Sequence, residues 1–151
     1  MNLRQLTFTT LLCVVPYSAG ADDWPQWMGP GRNGIWNESG VVTEIPEKGL
    51  PVVWRAELSG GYSGPAVSAG RVFVTDFLAD DPKLTNDPGT RDVRKGVERI
   101  HCLDLKTGKT IWKQEYPRAY KISYAAGPRA TPTVDGDLVY ALGAEGDLLC
   151  L

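Results

Sequence analysis

An all-β fold of repeated four-stranded antiparallel units is what this 151-residue sequence predicts, and three observations carry that expectation. First, beyond residue 21 no segment shows the three- and four-residue apolar recurrence of an amphipathic helix. Short β-rich runs alternate instead with Gly, Pro, Asp and Asn. Second, the chain repeats itself: Pro65-Ala66-Val67 and Val72-Phe73 recur 67 positions later as Pro132-Thr133-Val134 and Val139-Tyr140. Third, Leu103-Asp104-Leu105-Lys106-Thr107-Gly108-Lys109-Thr110-Ile111-Trp112 reads as two strands joined by a tight turn, with Gly108 supplying the positive backbone angle. Self-similarity over tens of residues marks solenoids and propellers. Four antiparallel strands per repeat, at about 40–45 residues without insertions, is the size of a β-propeller blade.

The chain opens with the basic Arg4, the short apolar run Leu11-Leu12-Cys13-Val14-Val15 and the small triplet Ala19-Gly20-Ala21, the pattern of a cleaved secretory signal over residues 1–21. That run is too short to cross a bilayer of roughly 30 Å, and no later apolar stretch replaces it, so a membrane-spanning helix is not expected. The mature chain would begin at Asp22, in a periplasmic or secreted setting. Cys13 lies deep in the apolar run behind Leu12, where lipid-modification signals call for a small residue. Loss of Arg4 takes the net charge from −2 to −3, which argues against a nucleic-acid partner. The remaining cysteines, Cys102 and Cys150, are too few to staple a small domain, so the fold must rest on packed core.

Residues 22–50 read as a turn-rich arm. Within it Gly29-Pro30-Gly31-Arg32-Asn33-Gly34 satisfies G-x-G-x-x-G, but a dinucleotide site needs a strand before and a helix after, and neither is expected. Pro51-Val52-Val53-Trp54-Arg55, within residues 51–58, looks like the outer strand of a blade whose other strands lie elsewhere and would close the ring. The first blade spans residues 62–116, with strands near 64–69, 71–77, 98–105 and 109–116. Residues 78–97 form an insertion, because Cys102-Leu103 recurs only 48 positions later as Cys150-Leu151. The second blade begins near Ala130 and stops at Leu151 inside its third strand. Since a blade has two faces to cover, the chain is expected to be one and a half blades of a ring of about eight, cut short at its C-terminal end.

The run from Leu103 to Trp112 resembles the x-Asp-x-x-Thr-Gly-x-x-x-Trp core of the motif of PQQ-type propellers. The resemblance implies structural roles: Asp104, Thr107 and Gly108 shape the turn, and Trp112 docks on the neighbouring blade. Asp23-Trp24-Pro25-Gln26-Trp27 with Gly29-Pro30-Gly31-Arg32 is similar to the start of mature members, which include quinoprotein alcohol dehydrogenases and non-enzymatic PQQ-like repeat proteins. The dehydrogenases place a Glu three residues before the Pro of the first blade, in contact with the quinone; here that place holds Tyr62, before Pro65. They also carry a vicinal cysteine pair after the first blade, followed by an Arg on the quinone. The corresponding connection here runs from Tyr120 to Arg129 without cysteine.

No residue is therefore assigned to catalysis, cofactor or metal. His101, the one histidine, sits in a strand covered on both faces and reads as a packed side chain. Cys102 and Cys150 occupy equivalent strands and read as small core residues too far apart for a disulfide. Gly108-Lys109-Thr110 imitates a phosphate loop but belongs to the hairpin. Asp80, Asp81, Asp87 and Asp92 lack the spacing of a calcium loop. The resulting expectation is an exported, non-catalytic propeller acting as a binding or assembly platform in the cell envelope, similar in kind to the propeller subunit of the barrel-assembly machinery, with a protein or saccharide partner. The alternative is a PQQ-dependent alcohol dehydrogenase, with PQQ and calcium as cofactors.

Overall fold

In the computed structural model, residues 21–81, 93–121 and 127–151 are described, and the secretory signal proposed for residues 1–21 lies almost wholly outside them. The described residues hold seven strands and no helix. Strands β1 (Ala66–Ser68), β2 (Arg71–Ala79), β3 (Val93–Asp104) and β4 (Thr110–Lys121) form one antiparallel sheet in that order. Strands β5 (Thr133–Asp135), β6 (Leu138–Leu142) and β7 (Leu148–Cys150) form a second.

The two sheets are one pattern used twice. Ala66 pairs with Phe73 and Val67 with Val72, just as Thr133 pairs with Tyr140 and Val134 with Val139. Phe73 opposes Cys102 as Tyr140 opposes Cys150. The sequence repeat is thus a repeat of register, which side-chain alternation makes hard to slip wherever both faces are covered.

Strand β2 is buried along most of its length, its polar Thr75 and Asp76 included. All residues from Val72 to Phe77 are buried, because neighbours cover both faces of the strand. One face carries Val72 and Val74, packed with Leu103, Val67 and Trp54. The other presents Phe73, which joins Ala66 and Cys102 to Val139, Val134 and Leu151 of the second sheet. Trp112 packs against this shared cluster, its ring centroid 6.0 Å from that of Phe73. The side chain that the motif assigns to blade docking therefore lies at the junction of the two sheets.

The strands around the insertion run further than the sequence suggests. Leu78 pairs with Val97 and Ala79 with Gly96, and Asp80 N donates to the Lys95 carbonyl at 2.9 Å. β4 likewise continues past Tyr116 to pair Lys121 with Val93. Gly96 permits this, since a Cβ there would stand 2.2 Å from the Leu78 carbonyl oxygen. Pro117 is accommodated in β4, an edge strand, where a missing backbone donor is tolerated. Residues 82–92, with Asp87 and Asp92, lie outside the described residues.

The Asp-Thr-Gly turn has the geometry its residues dictate. Asp104 accepts hydrogen bonds from Thr107 N at 2.8 Å and Thr107 Oγ1 at 2.7 Å, and Gly108 takes a φ of 68°. Trp54 lies on this turn. Residues 51–58 form no strand ladder within the described residues, so pairing with a closing blade stays an expectation. The arm is turn-rich, with positive φ at Met28, Gly29, Arg32 and Gly34.

Candidate functional site at the inner edge of the blades

The sheets converge where β1 meets β5, which makes these the inner strands of two neighbouring blades. Three peptide segments meet just beyond them. Gly60 exchanges both backbone hydrogen bonds with Phe77, at 2.7 and 3.2 Å, and Tyr62 N donates to the Pro128 carbonyl at 2.9 Å. Gly127 makes the approach possible at a φ of 140°, as a Cβ there would lie 2.5 Å from Gly61 Cα.

This places Tyr62 beside Arg129, whose guanidinium carbon lies 5.7 Å from the centroid of the tyrosine ring. The two residues are 67 positions apart, so they hold the same place in successive repeats. Below them, Thr75 Oγ1 donates to Ser63 Oγ at 2.8 Å, and Ser63 Oγ donates to the Thr75 carbonyl at 3.0 Å. The Thr131 hydroxyl is buried without a hydrogen-bond partner. Chemically this edge offers a cation, an aromatic face and hydroxyls.

Two buried carboxylates flank the blade instead of the edge. Asp76 is 1% exposed and takes both Arg99 Nε, at 2.7 Å, and Arg99 Nη2; His101 Nε2 lies 3.0 Å away and Ser59 N donates at 2.6 Å. Burial alone would raise the Asp76 carboxyl, but the hydrogen bonds from His101, Arg99 and Ser59 outweigh it and hold it well below the carboxylate range. Glu98, 2% exposed, accepts the hydroxyls of Tyr116 and Tyr120 and, at 2.8 Å, the amide of Ala144 from the second sheet. Burial first, and then the Glu98 hydrogen bond, push both phenols well above their ordinary range. Arg118 pairs with Asp147 beside them.

The motif turn and the docked Trp112 are those of a PQQ-type repeat, and a family model decides the assignment: that of the PQQ-repeat family described as outer membrane protein assembly factor BamB matches residues 38–151. The chain belongs to this family. No curated protein and no solved structure matches it.

Within the family's frame, the place where the dehydrogenases hold a quinone-contacting Glu is filled by Tyr62, with its ring against Arg129. An aromatic ring paired with a cation offers no carboxylate there, so these residues do not fit that quinone contact. His101 is buried, as its strand position suggests, and is bonded to Asp76. Cys102 is buried, which pushes its thiol up. Cys150, on β7, is exposed among the described residues, whereas Cys102 is flanked by β2 and β4. Both cysteines are free. Gly29 packs on the Trp24 ring in a chain of turns with no helix behind it, so the G-x-G-x-x-G run has no dinucleotide context. Among the described residues no three His, Cys, Asp or Glu side chains gather to hold a metal ion.

Sequence reasoning missed the Asp76 and Glu98 networks. The available signal was an acid in the middle of a strand predicted to be covered on both faces, which must find partners or unfold the blade.

Proposed function

We propose that the chain forms part of an exported, non-catalytic PQQ-like propeller that serves as a binding or assembly platform in the cell envelope. The observation that supports this reading is the Tyr62–Arg129 pair, which sets an aromatic ring beside a guanidinium at the place where a quinone enzyme of this family carries a carboxylate. The buried carboxylates support it further. Asp76 and Glu98 are each held by three or more partners within the blades, so neither is free to move a proton for a substrate.

In this reading residues 51–58 close the ring by joining a last blade, and residues 22–50 are an arm that follows a cleaved signal. Cation, aromatic face and hydroxyls suit a protein or saccharide partner with carboxylate or hydroxyl groups. The test is an assay for alcohol-dependent dye reduction by the full protein supplied with PQQ and calcium. The platform reading expects no reduction above the protein-free rate. Sustained turnover with any alcohol would overturn it.

A further inference from the structure

The residues that follow the small triplet are fixed one after another. Asp23 caps the β1–β2 turn, accepting from Ser68 Oγ and Ala69 N, both at 3.0 Å. Trp24 exchanges both backbone hydrogen bonds with Val67, at 2.8 and 2.9 Å, and the Pro25 carbonyl accepts from Val134 N at 2.8 Å. One residue earlier, Asp22 N donates to Glu38 Oε2 at 2.9 Å. The same oxygen receives Trp36 Nε1 at 3.2 Å, which orients the half-buried carboxylate. Ala21, just before this series, is exposed.

We propose that Glu38 is the receptor for a free α-ammonium group on Asp22, produced by hydrolysis of the bond between Ala21 and Asp22. The proposal rests on the export reading. One water is consumed, the carbon–nitrogen bond breaks, a carboxylate stays on Ala21 and the nitrogen of Asp22 takes up protons to become an ammonium. An amide donor already pointing at Glu38 thereby becomes a cationic one, and the contact becomes a charge-assisted pair without a change of geometry.

Docking also fixes the order of events. A peptidase binds its substrate extended across the scissile bond. In the docked arm the backbone N–H and carbonyl of Trp24, two residues past that bond, are both taken by Val67, so the arm does not offer them to a peptidase. Hydrolysis therefore precedes docking of the arm, and docking then pairs the new terminus with Glu38.

The test compares wild type with Glu38→Gln, each purified from exporting cells. Intact mass and amino-terminal sequencing define the start, and acylation of the α-amine at neutral pH is followed by peptide mapping. Both proteins are expected to begin at Asp22, with wild type acylated about threefold more slowly, the effect of one partly exposed ion pair. A second variant keeps the receptor but retains one alanine ahead of Asp22, and it is expected to be acylated as fast as Glu38→Gln. Equal rates in all three proteins would overturn the receptor while leaving export intact. A processed start elsewhere would also overturn it, and an unprocessed chain would overturn the export reading as well.

Discussion

Trp54 lays its indole on the backbone of Gly108, 54 residues later, and donates its Nε1 proton to the Leu105 carbonyl at 2.8 Å. A Cβ on Gly108 would stand 2.5 Å from Trp54 Cε3, so the turn and the ring are fitted to one another. Trp54 belongs to the segment before the first blade, yet it covers that blade's turn.

Gly108→Ala meets both the clash and a φ of 68°, and it is expected to cost roughly 2 kcal/mol. Trp54→Phe keeps most of the packing but loses the hydrogen bond to Leu105, at about 1 kcal/mol. Urea midpoints measure both. A Gly108→Ala protein as stable as wild type would show that the indole does not rest on this turn.

Removal of the Asp76 carboxylate strands Arg99 beside a buried gap, so Asp76→Ala is expected to lose about 3–5 kcal/mol. The pH dependence follows from the direction of its shift. The folded carboxyl lies below its ordinary value of 3.8, so its stabilisation is complete above that value and fades only as pH falls through the lower folded value. The stability gap between wild type and Asp76→Ala should hold steady from about pH 8 to about pH 5 and close in stronger acid. A gap that closes near neutrality would contradict the network.

Tyr120→Phe and Tyr116→Phe each remove one donor from buried Glu98, with an expected loss of about 1–3 kcal/mol apiece. Both phenols sit above their ordinary value of 10, so the folded chain keeps protons that the unfolded chain releases. Their contribution is complete below that value and declines as pH rises past it. Phenolate absorbance during alkaline titration should show these two tyrosines ionising only with unfolding. Ionisation near their ordinary value in folded protein would refute the buried phenol pair.

The blades were legible because their signal is local and repeated. Pro65 and Pro132, Val72 and Val139 mark equivalent strands, and the pairing register reproduces that alignment residue by residue. Strand ends were less legible. The extension through Leu78, Ala79 and Val93 to Val97 depends on Gly96 tolerating close approach, a tertiary condition that composition does not reveal. The meeting of Tyr62 with Arg129 follows from the repeat, since both hold the same place, but the repeat does not specify that Gly61 and Gly127 bring them into contact. Least legible were Asp76 with Arg99 and Glu98 with Tyr120, where partners far apart in sequence are chosen by cross-strand register and by packing between sheets.

Quinone binding by the intact protein tests the central claim most directly. PQQ titrated into the protein with calcium present should leave the quinone absorption spectrum and the tryptophan fluorescence unchanged, with Tyr62→Glu as a matched comparison. Saturable binding of one quinone per wild-type chain, with a shifted quinone spectrum, would contradict the account.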